Sequence, residues 1–226
     1  MDDRGELSRL WPLYGLRVRT PRLELRYPSD DDLCALAQLS GDIHDPGFLP
    51  FSGTWSLLPD GERERTVLQY HWGRRSDWTA ERWRLELVVV VDGKVVGTQG
   101  ALAEDFPITR TVTTGSWLGR AHQRRGIGSE MRAAVLHLAF AGLGAQRAES
   151  DAVEDNGPSL GVTTKLGYRP NGDSIDATNG KRTRLLRFVL DREVWERDGR
   201  RDIKIAGLDA CLPMFGLGDE SSDAVT

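Results

Sequence analysis

The feature that most constrains this chain is a short glycine-containing segment between a strand-like run and a strongly periodic helix. It covers residues 123–128 (QRRGIG), after a run that ends near Gly119 and before a helix that begins near Ser129. Gly126 and Gly128 let backbone N–H groups approach an anion closely, and a helix start adds a partial positive charge. This segment is therefore a good place for a phosphate group.

The charge around the segment agrees with this interpretation. Between Trp117 and Arg132 the net charge is +3, while the whole chain carries a formal −4. The arginines are Arg120, Arg124, Arg125 and Arg132, against the single acid Glu130. A short glycine motif alone is weak evidence, so an ordinary tight turn with solvated arginines remains an alternative.

The helix after the loop has one apolar face. Met131, Ala134, Val135 and Leu138 recur at i, i+3, i+4 and i+7, which predicts packing against a sheet. Gly142 and Gly144 end it. With strands expected at 111–119 and 147–153, this forms a βαβ unit, whose ligands bind at the carboxyl end of the first strand.

Other patterns predict further elements along the chain. Alternation indicates strands at 22–27, 83–91 and 94–103, with a two-residue turn at Asp92-Gly93. Helices are expected from Pro28 to Gly41, from 62 to about 77, and at 191–197, and residues 42–60 are irregular. A last antiparallel pair, 168–173 and 182–190, is joined through Asn179-Gly180.

Composition indicates one large domain with flanking segments. The chain has 226 residues, 39% of them hydrophobic and 28% charged, as is ordinary for a globular protein. We expect an N-terminal arm at 1–16, a domain at 17–198 and a tail at 199–226. Apolar side chains predict that the tail docks on the body or on a second copy in a homodimer, with its last eight or so residues disordered.

Several classes of protein are disfavoured. There is no apolar run of membrane-spanning length and no signal-peptide pattern, so a cytoplasmic protein without membrane contact is expected. Cys34 and Cys211 lie far apart, and the four histidines lack metal-ligand spacing, so we expect no metal. A net acidic chain is also poorly suited to binding nucleic acid non-specifically.

Three motifs in order resemble one family. Gln123, Gly126 and Gly128 stand as Gln-x-x-Gly-x-Gly, which resembles the pyrophosphate loop of the GNAT superfamily of acetyl-CoA-dependent N-acetyltransferases. Residues 156–160 (NGPSL) and 165–168 (KLGY) are similar to its Asn-x-x-Ser/Ala and Gly-Phe/Tyr signature. Residues 20–26 (TPRLELR) resemble the first strand of the ribosomal-protein N-terminal (RimJ/RimL-type) branch, and the resemblance covers roughly residues 17 to 190.

The resemblance implies a fold and a co-substrate. The fold class is α/β (α+β): one mixed, mostly antiparallel sheet of six to seven strands, flanked by about four helices. Its two central parallel strands splay apart and admit the pantetheine arm of acetyl-CoA. The residues implied to hold acetyl-CoA are Trp117, Leu118, Gln123, Arg124, Arg125, Gly126, Ile127, Gly128, Ser129, Asn156 and Ser159. For Asn156 a plain Asx turn before Pro158 is the alternative.

The resemblance implies the catalytic groups less directly than it implies the acetyl-CoA residues. Many GNAT enzymes have a tyrosine acid seven residues after the asparagine, but this chain has Thr163 there. Ser159 could instead hydrogen-bond the leaving thiolate, or only cap a helix. The strand before the loop carries no carboxylate, so Glu104 or Asp105 is the candidate base, or else each is a solvated loop charge.

The predicted acceptor site consists of aromatic residues. Relatives use the region after the first helix as a wall of the acceptor site, which implies Phe48, Phe51 and Trp55 here, although these could simply cap the core. The leading hypothesis is direct acetyl transfer to a primary amine in a ternary complex, with a protein N-terminus as acceptor. Alternatives are a small-molecule acceptor such as an amino acid, polyamine or drug, or a catalytically silent acyl-CoA-binding module.

Overall fold

A nine-stranded sheet forms the centre of the molecule, within the part of the chain that the structure describes. The structure is a computed structural model, and it describes residues 3–45, 47–197 and 202–218. The strands are β1 Arg17–Arg19, β2 Glu24–Arg26, β3 Arg82–Val91, β4 Lys94–Glu104, β5 Thr111–Leu118, β6 Arg147–Val153, β7 Arg169–Thr178, β8 Lys181–Asp191 and β9 Lys204–Ala206.

The strand order is β7-β8-β6-β5-β4-β3-β2-β1-β9. Only β5 and β6 pair in parallel among these strands, so the sheet is mixed and mostly antiparallel, as predicted. The predicted count of six to seven strands was too low. Strands β1 and β9, which were not predicted, have three residues each and are too short for an alternation pattern to reveal.

Helices cover both faces of the sheet. In the described ranges they are α1 Asp3–Leu10, α2 Asp30–Leu39, α3 Glu62–Ser76, α4 Phe106–Thr109, α5 Ile127–His137, α6 Gly157–Lys165 and α7 Arg192–Arg197. Short 3-10 segments and a π-helical turn, Leu138–Gly142, link or extend them. None of the described helices is long and apolar enough to cross a membrane.

Strand alternation divides β3 between two cores. Leu85 and Leu87 belong to the larger core, together with Met131 of α5. Val88 and Val90 point the other way, into a smaller core with Leu33 of α2. Helices α5 and α2 therefore lie on opposite faces of the sheet, and the face that carries α2 also carries α3.

Both predicted hairpin turns are present. Asp92 and Gly93 have φ of 47° and 76°, and Asn179 and Gly180 have φ of 50° and 71°. Two successive positive φ values match the twist of flanking antiparallel strands, which is why Asp-Gly and Asn-Gly favour this turn.

The described part of the C-terminal segment, residues 202–218, packs against the central body. Strand β9 pairs with β1, and Phe215 is fully buried, with its ring 4.9 Å from that of Trp83. The division into an arm, a domain ending at 198 and a tail stays a prediction, and the expected disorder of the last eight residues lies outside the described residues.

His71 on α3 is buried, and its titration should affect folding. Burial, helped by Arg75 and Arg74, lowers the pKa of His71 from 6.5 to about 4. The unfolded chain therefore takes up a proton first as pH falls from 6.5 to 4, so stability is present above this window and lost within it. We expect a slope of up to about 1.4 kcal/mol per pH unit, which His71→Leu should flatten in denaturant unfolding. An unchanged slope in this variant would contradict the assignment.

Candidate acetyl-CoA site

The glycine loop forms a sharp entry into helix α5. Arg124 has φ of 59°, and Gly126 has φ of 80° and is the N-cap residue of the helix. The helix begins at Ile127, two residues before the predicted start. A left-handed conformation at the cap is one that glycine adopts without strain, which explains why Gly126 stands there.

The backbone amides of this loop have no partners among the described residues. The backbone N–H of Glu130 donates to Gly126 O at 3.1 Å, and no hydrogen bond is recorded from the N–H groups of 124–129 in that part of the chain. The first N–H groups of a helix point outward and carry the positive end of its dipole. These residues therefore fit a diphosphate of the kind that coenzyme A carries.

Arg22 holds the loop from outside. Its guanidinium pairs with Glu130 on the first turn of α5 at 2.5 Å, and its Nη1 donates to Arg125 O at 3.2 Å. Thr20 Oγ1 donates to the same glutamate at 2.6 Å. The motif that resembles the opening strand of the RimJ/RimL-type branch thus fixes the orientation of the loop.

Gln123 supports the loop rather than pointing outward. Its side-chain amide donates to Ile43 O at 2.7 Å and to Leu118 O at 2.9 Å. These bonds tie the end of β5 to the segment after α2. Arg124 and Arg125 are exposed and form no ion pair with a described residue, so their charges are available to an anion.

Strands β5 and β6 separate beside the loop. Their parallel pairing ends at Thr114 and Ser150, although β5 continues to Leu118 and β6 to Val153. Each strand stays paired with its other neighbour, β4 or β8, beyond this point. The gap between them is therefore bordered by backbone groups that no strand covers.

Ladder alternation shows which residues line this gap. Gly119 N–H donates to Val96 O at 3.0 Å, toward β4. Because backbone groups alternate sides along a strand, Trp117 also faces β4, while Ser116 and Leu118 face the gap. The backbone of Trp117 therefore does not border the gap, contrary to the expectation for this residue, and Ser116 does. The two-residue period of a strand, counted back from Leu118, would have indicated Ser116.

The side chain of Trp117 has a different position. Its ring centroid lies 5.9 Å from that of Trp55, and Phe51 lies 5.2 Å from Trp55 in turn. These half-buried rings form a wall on the face that carries α2 and α3. Phe48 is half-buried nearby in sequence and takes no part in the recorded ring contacts.

Asn156 links α6 to the segment that carries this wall. Its Oδ1 accepts from Ser159 N at 3.2 Å, which makes it the N-cap of α6, and its Nδ2 donates to Pro50 O at 3.2 Å. Ser159 is therefore not the cap, and no hydrogen bond from its hydroxyl is recorded among described residues. Thr163 is buried, and its hydroxyl donates to Ser159 O at 2.9 Å.

A pair of substitutions separates the two roles of Asn156. Asn156→Asp keeps the capping oxygen but loses the donor to Pro50, so we expect a higher acceptor KM with little change in stability. Asn156→Ala loses both and should also cost about 1 kcal/mol of unfolding free energy. Equal acceptor KM in the wild type and both variants would show that the bond to Pro50 does not shape the acceptor site.

Sequence comparison now identifies the family. The family model described as an acetyltransferase (GNAT) domain matches residues 22–169. The chain belongs to the GNAT acetyltransferase family. The free loop amides and the splayed strands are thus the candidate acetyl-CoA site of this GNAT protein.

Solved GNAT structures share the fold. Mycobacterium smegmatis RimJ, in complex with CoA-disulfide, is 17% identical, with TM-score 0.61 over 87% of this chain and 92% of that one. A Vibrio cholerae protein described as a ribosomal-protein-serine acetyltransferase is 19% identical, with TM-score 0.60 over 77% and 97%. RimL, a ribosomal alpha-N-protein acetyltransferase in complex with coenzyme A, is 19% identical, with TM-score 0.58 over 76% and 95%.

The structure does not bring Glu104 and Asp105 to this GNAT site. Strand β4 runs antiparallel to β5, and Gly97 near its start pairs with Leu118. Glu104 is the last residue of β4 and lies about 24 Å farther along the strand. Both acids are exposed at the opposite end of the sheet, so their sequence proximity to β5 was misleading.

Another carboxylate lies much closer. Register places Glu86 of β3, Gly100 of β4 and Gly115 of β5 in one row across the sheet. A side chain at Gly100 would meet the Glu86 carboxylate at 2.7 Å, so this group leans over Gly100 toward β5. Gly115 is exposed, has no atom within 4 Å of a Cβ position, and directly precedes Ser116.

The Glu86 carboxyl is held in an unusual environment. Tyr70 Oη donates to its Oε1 at 2.7 Å. Burial raises the pKa of Glu86 to about 7, against the lowering effects of Tyr70, Arg74 and Arg84. A carboxylate that titrates near neutral pH beside the exposed Gly115 suits general base catalysis. Glu86 was not predicted as a site residue, although it is the lone acid in an otherwise apolar stretch of the strand.

Proposed function

We propose that this GNAT protein transfers acetyl from acetyl-CoA to the α-amine of a protein N-terminus, by direct attack in a ternary complex. The observation that carries the proposal is the pairing of free loop amides with an open groove on the α2–α3 face of the sheet. Loop residues 124–129 and the gap edge at Ser116 and Leu118 would hold acetyl-CoA, which supplies an activated acyl group.

An extended acceptor fits the groove. Gly115 leaves its floor open beside the Glu86 carboxylate, which covers Gly100. Phe51, Trp55 and Trp117 form one wall. A groove with an open floor and an aromatic wall can accept an extended peptide, whereas an enclosed pocket would favour a small molecule. RimL and the Vibrio cholerae protein are described as acetyltransferases of ribosomal proteins, which favours the same class of acceptor.

Glu86 is the proposed base. One strand spacing, roughly 5 Å, separates its row position over Gly100 from Gly115, so it could take the amine proton directly or through one water. An α-amine has a pKa of roughly 7.7 to 8.0, against about 10.4 for lysine, so a base that titrates near 7 suffices. Ser159 is proposed to hydrogen-bond the leaving sulfur.

A small anionic acceptor is the second candidate. A cavity of about 110 Å³ lies near this groove, lined by Arg74, Arg82, Arg84 and Asp77. Its three guanidinium groups against one carboxylate would attract a carboxylate group, as an amino acid carries. A silent acyl-CoA-binding module is the third possibility, and the carboxylate in the groove argues against it.

The test is release of free thiol from acetyl-CoA with a panel of amines. Peptides with free N-termini are compared with the same peptides acetylated beforehand, and with amino acids and polyamines. We expect thiol release that needs a free peptide N-terminus. Turnover of amino acids alone would select the second candidate, and tight coenzyme A binding without any turnover would select the silent module.

A further inference from the structure

Arg132 is the one arginine of the basic segment 117–132 that the structure buries. Its exposed fraction is only 4%. It lies on the second turn of α5, on the side that faces the sheet. The sequence alone groups Arg132 with the solvated loop charges, but the structure buries it.

The guanidinium of Arg132 spans the point where β5 and β6 separate. Nη1 donates to Ser150 Oγ at 3.0 Å, and Nη2 donates to Ser116 Oγ at 3.2 Å. Ser150 is the last residue of β6 that pairs with β5, and Ser116 of β5 lines the gap. The side chain therefore closes the floor of the gap from the α5 face.

This cation lacks a carboxylate within 4.0 Å among the described residues, and its Nε has no hydrogen-bond partner there. Glu130, on the same helix, is taken by Arg22 and Thr20. On β6, Glu149 and Asp151 point to the opposite face, because strand side chains alternate about Ser150. On β4, the polar side chain beside Ser116 is the neutral amide of Gln99. Its Oε1 also lacks a hydrogen-bond partner among the described residues.

A buried charge without an opposite charge is costly, so its retention points to an anion that arrives with the ligand. Acetyl transfer to an amine forms a C–N bond and breaks the C–S bond. The electron pair of that bond goes to sulfur, and the amine proton goes to Glu86. Negative charge thus develops on sulfur in the gap whose floor is Arg132.

We propose that Arg132 is a positioning residue that acts through the Ser116 hydroxyl to stabilise the thiolate of coenzyme A leaving the gap. The proposal rests on the proposed function. It also accounts for Thr163, which stands where many GNAT enzymes have a tyrosine acid and whose hydroxyl is already bonded to Ser159 O. A fixed positive charge takes over part of that role.

The experiment measures the thiol pKa of bound coenzyme A from the ultraviolet absorbance of the thiolate. Desulfo-coenzyme A complexes, titrated in parallel, remove the contribution of tyrosine ionisation. In the wild-type complex we expect the thiol pKa to lie below that of free coenzyme A. Arg132→Met should raise it by about one unit, a tenfold loss of thiolate, while Arg132→Lys should retain most of the shift.

Ser116→Ala provides the second variant, because it removes the relay hydroxyl and leaves the arginine in place. The thiol pKa of coenzyme A bound to this variant should also rise. If Arg132→Met does not fold, the Ser116→Ala result alone tests the proposal. An unchanged thiol pKa in Ser116→Ala, or in a folded Arg132→Met, overturns the proposal. If wild-type protein fails to bind coenzyme A at all, the proposed function fails instead.

Discussion

Replacing Glu86 with glutamine is expected to lower kcat at least about 100-fold at pH 7.5, with little change in acetyl-CoA affinity. General base groups typically contribute factors of about 10² to 10⁴. Glutamine keeps the shape of the side chain over Gly100 and can still bond Tyr70, but it cannot accept a proton. Steady-state kinetics with the best acceptor, and calorimetry with coenzyme A, measure the two quantities.

The pH profile makes this prediction more specific. In the wild type, kcat should rise with pH through about 7, where the Glu86 carboxyl ionises. Tyr70→Phe removes a hydrogen bond that stabilises the carboxylate, so this limb should move to higher pH. If Glu86→Gln retains both the wild-type rate and the limb near 7, the base lies elsewhere.

Gly126→Ala is expected to weaken coenzyme A binding about tenfold and to lower thermal stability. With φ of 80°, Gly126 sits where an L-residue costs roughly 1 to 2 kcal/mol. The loop can relieve that strain by rotating the peptide groups that present its amides. Calorimetric titration with coenzyme A, together with a melting curve, gives both effects.

Gly128→Ala is the matched control for this substitution. A methyl group there would lie 3.5 Å from Val162 Cγ2, an ordinary contact, and the residue is helical. Affinity within about threefold of wild type is expected, because alanine also favours the helix. Equal weakening in both variants would mean that the conformation of Gly126 is not what orients the amides.

The elements that carry the candidate acetyl-CoA site were largely predictable from sequence. The glycine loop, the helix after it and the strand at 147–153 are local features, each read from a motif or a repeat within one segment. The family motifs occur in the same order along the chain, which showed that these segments belong to one site. Their geometry follows from one βαβ unit, so little long-range information was needed.

The acceptor side was not predictable in the same way. Glu86 reaches the site only because β3, β4 and β5 are aligned in register, and register is a long-range property that alternation alone does not give. The same antiparallel return carries Glu104 away from the loop it precedes in sequence. Arg132 looked like a loop charge because its helix position relative to the sheet depends on where α5 begins.

The most direct test of the account compares binding of coenzyme A with binding of pantetheine, which lacks the diphosphate and the nucleotide. If the free amides of residues 124–129 hold the diphosphate, calorimetry should show saturable coenzyme A binding that is at least about 100-fold weaker with pantetheine. Equal affinity for the two, or no heat with coenzyme A, would contradict the central claim.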